Sequence, residues 1–198
     1  MTTEKQLNEI QHGKDLIALE AESAWGWTSP AGRARASRRG RLIAERAQLS
    51  QGKRVLELGC GTGLFTQVFA ETGAEVLALD ISQDLLAMAA KRDFSGQSVE
   101  FFCAAFEDGT VDTKGPFDAI VGSSVLHHLE VDKALERAFD LLKPGGTFAF
   151  AEPNMLNPQI FAERTFLRAA LPQVSPDETA FVRGQLARQL SAIGFYEV

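Results

Sequence analysis

The sequence predicts an α/β fold, a three-layer sandwich in which a mostly parallel sheet lies between helices. After residue 50, short apolar runs alternate with segments whose apolar residues recur at helical spacing. This alternation is typical of strand–helix–strand units with parallel strands. A glycine-rich turn, Gly59-Cys60-Gly61-Thr62-Gly63, directly follows the first apolar run. Such a turn predicts a ligand site at the carboxyl ends of the strands.

Composition is that of one globular domain. The chain has 198 residues, of which 45% are hydrophobic and 23% charged, which is enough for a full core. We expect residues 1–50 to form an N-terminal helical cap or lid and residues 51–198 the ligand-binding part of a single structural domain. Two cysteines make no disulfide framework, so we expect a cytoplasmic location. No apolar run approaches 18 residues, so we expect no membrane-spanning segment. A net charge of −6 disfavours nucleic acid as a partner.

The strands and helices are predicted from local patterns. Five strands are expected at Arg54–Leu58, Glu75–Asp80, Val99–Cys103, Phe117–Val121 and Thr147–Ala151. Helices are expected at about 4–20 and 37–49, from Leu64 to near Gly73, after the N-cap Ser82, from Leu129 to the Lys143-Pro144-Gly145-Gly146 breaker, from Asn157-Pro158 to about Ala170, and from the capping box Ser175-Pro176-Asp177-Glu178 to about Ala192.

An acidic residue at the end of the second strand identifies the class of ligand. Asp80 lies 21 residues after Gly59, where a carboxylate accepts hydrogen bonds from ribose hydroxyls. A dinucleotide site would need a third glycine three positions beyond the second, but Gly61 and Gly63 are two apart and Leu64 follows. No Gly-Lys-Ser/Thr follows either, so a triphosphate loop is excluded. These features predict an adenine nucleoside ligand rather than a nicotinamide cofactor.

Four motifs in register give the sequence a family resemblance. Glu-Leu-Gly-Cys-Gly-Thr-Gly at 57–63 resembles the first motif of class I S-adenosylmethionine-dependent methyltransferases, which have a Rossmann-like fold. The resemblance continues through 79–82, 117–129 and 142–146, and covers about residues 52–152. It implies an enzyme that uses S-adenosyl-L-methionine as cofactor and releases S-adenosyl-L-homocysteine.

The resemblance also implies roles for individual cofactor-site residues. It places the backbone of Gly59, Gly61 and Gly63 against the methionine half, with Cys60 lining it. Glu57 would hold the turn from below and face the ammonium group of the cofactor, or act only as a structural acid.

The remaining cofactor contacts are expected along three further strands. The resemblance places Asp80 on the ribose and Ile81 on one adenine face. Family members usually carry an Asp for the adenine amino group after strand three, where this chain has Ala104; the backbone of Ala105 and Phe106 would serve the base instead. Ser123 would lie beside the methyl group, or simply cap the next helix.

Methyl transfer from a sulfonium is an in-line displacement, so the main requirement is that the acceptor atom, the methyl group and the sulfur are aligned. A base is needed only for an acceptor that loses a proton. The candidate bases are His127, His128 and Glu152, each of which also has a structural interpretation. His127 and His128 are adjacent and cannot form an i, i+4 metal pair, so no metal is expected.

A small-molecule or lipid-like acceptor is favoured, because the Asn/Asp-Pro-Pro-Tyr/Phe motif of nucleic-acid amino-methyltransferases is missing after strand four. Trp25 and Trp27, with Arg33 or Arg38 nearby, are expected to form a lid over the ligand, or else to pack on the domain's own helices. Asn154 is a further candidate acceptor contact.

Three questions stay open in the sequence. The apolar stretch 155–182 suits an acceptor pocket, a homodimer face or core packing against the sheet. The family fold normally ends with a sixth strand and an antiparallel seventh, but this sequence stops at Phe195-Tyr196-Glu197-Val198, so the C-terminal strand hairpin is expected to be truncated or dispensed with. The alternative function is a catalytically inactive S-adenosylmethionine-binding module that regulates or binds a partner.

Overall fold

A computed structural model describes residues 3–166 and 181–198. The helices are α1 (Glu4–Ala18), α2 (Ala21–Ala24), α3 (Pro30–Arg46), α4 (Leu64–Ala70), α5 (Gln83–Ala89), α6 (Val131–Leu141), α7 (Pro158–Thr165) and α8 (Arg183–Ile193). The strands are β1 (Arg54–Leu58), β2 (Glu75–Asp80), β3 (Val99–Cys103), β4 (Phe117–Ser123) and β5 (Leu142–Ala151).

All five strands pair in parallel, in the order β3-β2-β1-β4-β5. The chain therefore winds outward in opposite directions from β1, and the crevice for a ligand lies at the carboxyl ends of β1 and β4, where the order reverses. The predicted α/β class is confirmed. β1, β2 and β3 have the predicted bounds, whereas β4 extends two residues further, to Ser123.

The start of β5 differs from the prediction. The Lys-Pro-Gly-Gly segment was expected to be a turn before a strand at Thr147, but it lies within β5. Phe117 pairs with Leu142 and Ala119 pairs with Thr147, so the segment forms a bulge in the β4–β5 register. Proline removes a ladder donor, and Gly145 adopts a φ of +77°, which a bulge at a strand end accommodates.

Side chains that point alternately to the two faces of the sheet produce two core layers. Val55 and Val76 face one side, where they pack with Ile43 of α3 and Phe69 of α4. Leu56 faces the other side, toward α6 and the 3-10 turns that follow β3. Because successive strand residues point to opposite faces, the buried strand β1 supplies both layers and the predicted three-layer arrangement results.

The N-terminal helices differ from the prediction in their bounds. The second predicted helix, 37–49, begins seven residues earlier as α3, because Ser29 accepts a hydrogen bond from the Gly32 N–H (3.0 Å) and Pro30 occupies the first turn. α3 ends at Arg46, and Gln48 has a φ of +52°. The short helix α2 lies in a segment for which no element was predicted.

The C-terminal helices are partly as predicted. Asn157 caps α7 by accepting from the Gln159 N–H (2.9 Å), as expected. A helix was predicted to begin at the 175–178 capping box, and this prediction is wrong over residues 181–182, since Phe181 forms a bridge with Asn154 and α8 begins at Arg183. The box itself and Ala170 lie outside the described residues. Among the described residues, no helix combines the length and the apolar character that crossing a membrane requires.

Candidate functional site

A cavity of about 730 Å³ opens at the carboxyl ends of the strands. Its volume lies within the range of small-molecule sites, ~300–1,000 Å³. The floor comes from the residues that end β1, β2 and β4 and from those that follow β3. The roof comes from α1, the loop after α2 and α7. The expected cofactor-site residues that line it are Gly59, Cys60, Gly61, Asp80, Ile81, Ala105, Phe106 and Ser123.

The glycine-rich turn brings bare backbone to the cavity. Gly59 and Gly61 have φ values of +63° and +54°, a region that residues with a Cβ rarely adopt. A Cβ on Gly59 would lie 2.4 Å from a methyl carbon of Val125, and one on Gly61 would lie 3.3 Å from the Trp25 ring. Glycine therefore allows the turn to pack closely against Val125 and Trp25 while its backbone lines the cavity, where it can approach a ligand.

The other two residues of the turn have different surroundings. Burial raises the pKa of the Cys60 thiol well above its usual value, so Cys60 presents a neutral thiol to the cavity. Gly63 does not line the cavity, and a Cβ there would lie 3.0 Å from the Cβ of Ala89. Gly63 therefore allows α4 and α5 to approach closely.

The Asp80 carboxylate is fixed by the protein itself. Its Oδ2 accepts from the Gly61 N–H and its Oδ1 accepts from the Ser82 N–H, both at 2.8 Å. Burial raises the pKa of the Asp80 carboxyl, while these two N–H groups act in the opposite direction. Each oxygen has a second lone pair, so the carboxylate is able to accept from ribose hydroxyls while it holds the turn.

Of the two roles expected for Glu57, its surroundings favour the structural one. Its side chain is buried beneath the turn but does not line the cavity, and its Oε2 accepts from the Thr66 hydroxyl of α4 (2.6 Å). Burial raises the pKa of Glu57 to about 8. Glu57 is therefore neutral near pH 7 and offers no negative charge to an ammonium group.

An arginine outside the predicted set reaches the end of β4. Arg39 of α3 donates to the hydroxyls of Ser123 (3.2 Å) and Ser124 (3.1 Å), and its guanidinium lies 5.1 Å from the ring centre of Trp27. Burial lowers the pKa of Arg39, and the Glu152 carboxylate acts in the opposite direction. The guanidinium stays charged and places a cation beside the position expected for the methyl group.

The predicted arginines lie elsewhere on the same helix. Arg33 donates to the Thr28 carbonyl and does not line the cavity, and Arg38 is exposed. Arg35 lines the cavity, with its guanidinium 5.7 Å from the ring centre of Trp27. Arg35 and Arg39 are four residues apart and share a helix face, a signal that the late predicted start of α3 concealed.

Both tryptophans line the cavity. The Trp25 ring packs on Gly61, and Trp27 makes an edge contact with Phe65 (6.1 Å between ring centres). The helix before them is held to the turn by Glu22, which accepts from the Thr62 hydroxyl (2.8 Å) and pairs with Arg92. The tryptophan loop is therefore attached directly to the glycine-rich turn.

Two of the candidate bases form one buried pair at the ends of β4 and β5. The Glu152 Oε2 and the His127 Nδ1 lie 2.6 Å apart, and the two side chains are 6% and 2% exposed. The Glu152 Oε1 also accepts from the N–H groups of Val125 (2.9 Å) and Leu126 (3.0 Å). Glu152 thus determines the shape of the loop and fixes the imidazole of His127, which lines the cavity.

The third candidate base contacts the roof of the cavity. The His128 Nδ1 lies 3.0 Å from Glu9 of α1, and its ring stacks against His12, with 6.4 Å between ring centres. Asn154 is exposed and does not line the cavity; its side chain accepts from the Leu156 N–H (3.0 Å). In the described part of the chain, no group of three or more His, Cys, Asp or Glu side chains is arranged to hold a metal ion.

The comparisons with known proteins define the class. A sequence model of the methyltransferase domain family matches residues 56–150. The ubiquinone biosynthesis O-methyltransferase of Xanthomonas axonopodis pv. citri is 34% identical over 164 residues, covering 81% of this chain and 68% of that protein. The chain belongs to the class I S-adenosylmethionine-dependent methyltransferases, as the motifs predicted, and S-adenosyl-L-methionine is the cofactor of this family.

Further relatives match in sequence, and solved structures share the fold. The chain spans only 43% to 50% of the length of the ubiquinone biosynthesis O-methyltransferases from Xylella fastidiosa and Xanthomonas campestris that it matches. The [4+2]-cyclase SpnF is similar over 98% of this chain and 74% of its own, with a TM-score of 0.70 and 22% identity. The N-methyltransferase NodS of Bradyrhizobium japonicum, solved with S-adenosyl-L-homocysteine, covers 83% of this chain and 76% of its own, with a TM-score of 0.62 and 20% identity.

Proposed function

We propose that the protein transfers a methyl group from S-adenosylmethionine to a hydroxyl oxygen of a small, partly apolar acceptor. The observation that carries this proposal is the Glu152–His127 pair, of which His127 lines the cavity. A hydroxyl must lose its proton as it attacks, so it needs a base. The relatives named as O-methyltransferases of ubiquinone biosynthesis support oxygen as the acceptor atom.

The chain's own residues supply the cofactor contacts. Asp80 accepts hydrogen bonds from the ribose hydroxyls, and Ile81 and Phe106 pack on the adenine. The backbone of Gly59 and Gly61 contacts the methionine half. The methionine portion carries a carboxylate, for which Arg39 provides the opposite charge beside Ser123. When bound, S-adenosylmethionine supplies a methyl group on a sulfonium, an already activated leaving group.

In this mechanism His127 is the base that takes the proton from the hydroxyl group of the methyl acceptor. The Glu152 carboxylate takes a hydrogen bond from Nδ1–H, which leaves the lone pair on Nε2. Glu152 then stabilises the imidazolium that forms as the proton arrives. Burial of the pair excludes water, so the positive charge on His127 is balanced by Glu152 rather than by solvent.

The acceptor enters beside the aromatic part of the roof. Trp27 and Phe65 offer flat apolar surfaces, and Ile160 of α7 extends the apolar wall. A phenol fits this wall by stacking, and a lipid-like tail fits along Ile160. We therefore propose a phenolic or lipid-linked hydroxyl acceptor, with Trp25 and Trp27 closing over it.

The test is transfer of labelled methyl groups to a panel of catechols, phenols, amines and thiols. In His127→Asn, the amide keeps a donor for Glu152 but has no basic nitrogen, so transfer to hydroxyls should fall by about 10²–10⁴-fold while S-adenosylhomocysteine binding is unchanged. Glu136→Gln, an exposed change on α6, is the matched control. Transfer to amines or thiols alone, binding of cofactor with no transfer to any acceptor, or full activity of His127→Asn would each contradict the proposal.

A further inference from the structure

The charged side chains of the cavity are divided between its two halves. One half is formed by α1, the end of β2 and the segments after β3 and before α6, and its charged lining residues are Glu9, Asp80, Glu107, Asp108 and Glu130 together with Lys5 and Lys133. The other half, formed by α3, the end of β4 and α7, is where the proposed function places the acceptor, and we call it the acceptor half. It contributes Arg35 and Arg39 and, among the described residues, no acidic side chain that lines the cavity.

The two arginines of the acceptor half lie close to each other. Arg35 and Arg39 are one turn apart on the same face of α3, and their guanidinium groups lie 5.7 Å and 5.1 Å from the centre of the Trp27 ring. Burial is the main cause that lowers the pKa of Arg39, and the neighbouring charge of Arg35 adds to it. Two like charges beside one ring repel each other, and an anion bound next to them relieves that repulsion.

The acids of the protein leave this positive charge uncompensated. Arg35 donates to the Gly26 carbonyl (3.2 Å) and, within the described part of the chain, forms no ion pair with a carboxylate. The Glu152 carboxylate attracts Arg39, but it is already paired with His127 at 2.6 Å. Once His127 has taken a proton, the negative charge of Glu152 is balanced by the imidazolium, so the arginines need another anion.

A bound cofactor compensates one arginine at most. The methionine half of S-adenosylmethionine carries one carboxylate, for which the proposed function assigns Arg39, and two positive groups, the ammonium and the sulfonium. With the cofactor in place, the acceptor half therefore still contains the charge of Arg35 next to a cationic ligand. A neutral acceptor would leave that charge without a partner, whereas a carboxylate matches the planar guanidinium and accepts two hydrogen bonds from it.

We propose that the methyl acceptor is an anion, a hydroxylated aromatic compound that also carries a carboxylate, and that Arg35 binds this carboxylate at the rim of the cavity. This inference rests on the proposed function and names the substrate class of the same site. With the aromatic ring against Trp27, the carboxylate faces Arg35 and the hydroxyl faces inward, toward His127. Arg35 thus determines which acceptor is selected, while the reacting atoms lie deeper in the cavity.

The experiment compares transfer of labelled methyl groups to protocatechuate, a catechol with a carboxylate, and to protocatechuamide, its neutral amide. The two compounds share the catechol ring and nearly the same shape, and they differ in charge. The wild-type kcat/KM should favour the acid by about tenfold, a value between those of an exposed ion pair and a buried hydrogen bond to a charged group. Arg35→Gln keeps a donor but removes the charge, so this preference should fall by about fivefold.

Arg41→Gln is the matched control, because it removes the same charge from the same helix. Arg41 is exposed, donates to the Ser37 hydroxyl (2.6 Å) and does not line the cavity, so its variant should prefer the acid as the wild type does. Circular dichroism verifies that each variant is folded.

Three outcomes overturn the inference and leave the proposed function intact. They are equal transfer to the acid and the amide by the wild type, a folded Arg35→Gln variant that keeps the full preference, and an equal loss of preference in Arg41→Gln, which would assign the effect to the overall charge of α3. Transfer to other hydroxyl compounds but to neither of these two also overturns the inference alone. No transfer to any hydroxyl acceptor overturns both the inference and the proposed function.

Discussion

Glu57 gives the stability of the protein a distinctive pH dependence. Burial raises the pKa of this carboxyl to about 8 from an ordinary value of 4.5. Between these values the folded chain keeps a proton that the unfolded chain has lost, so the free energy of unfolding decreases as pH rises. One proton taken up on folding corresponds to about 1.4 kcal/mol per pH unit.

Substitution of Glu57 by Gln removes the ionisable group and keeps an oxygen for the Thr66 hydroxyl. The stability advantage of Glu57→Gln over the wild type should therefore grow by about 3 kcal/mol between pH 5 and pH 7.5. Urea unfolding at constant ionic strength, followed by circular dichroism, measures the difference at each pH.

A matched variant separates burial from the loss of a charge. Glu100→Gln makes the same chemical change at a carboxylate whose side chain is 58% exposed and paired with Lys114. Its stability relative to the wild type should change little across the same range, because surface pairs contribute little. Parallel profiles for Glu57→Gln and the wild type would refute the inference that Glu57 is protonated in the folded chain.

Three further predictions concern the cofactor. Asp80→Ala should weaken S-adenosylhomocysteine binding by about 1.5–3 kcal/mol, the worth of hydrogen bonds to a charged group; unchanged affinity measured by calorimetry on the folded variant would remove Asp80 from the ribose site. Gly61→Val should abolish binding because the new side chain meets the Trp25 ring, whereas Gly145→Val, with an equally left-handed φ but open space around it, should bind normally; if both variants bind alike, the glycine-rich turn plays no part. Titration with S-adenosylhomocysteine should change the fluorescence of Trp25 and Trp27, the two tryptophans of the chain, and a constant spectrum at saturation would make them ordinary packing residues.

The sheet and the cofactor turn were predictable because their signals are local. β1, β2 and β3 begin and end at the predicted residues, since each is a short run of mainly apolar residues with polar or glycine residues at its boundaries. Asp80 and the glycine-rich turn are 17 to 21 residues apart in sequence, and the strand–turn–helix unit brings them together without help from the rest of the chain. The Asp80–Gly61 hydrogen bond follows from that unit.

The contacts that sequence reasoning missed join distant parts of the chain. Arg39 reaches Ser123 across 84 residues and Gln6 reaches Asp108 across 102 residues, so no local pattern reports either pair. His127 and Glu152 were each expected at the tips of neighbouring strands, but their direct pairing depends on the β4–β5 register. Both roles expected for Glu57 fit the same sequence, because only the direction of its side chain within the buried strand decides whether it faces the cavity or α4.

The roof of the cavity is attached with little buried apolar surface, which has a consequence for the order of unfolding. Among the described residues of α1 and α2, Leu16 and Ala21 are the apolar side chains that are buried, in a small cluster with Leu85. The other attachments are polar, such as Lys5 to the Leu129 carbonyl (3.0 Å) and the Glu22–Arg92 pair. A segment held in this way opens as a local unit at a free energy below that of global unfolding, so amide hydrogens of α1 should exchange faster than those of β1.

A ligand that binds only beneath the closed roof makes this opening rarer. Cofactor should therefore slow amide exchange in α1 before it alters exchange in the sheet.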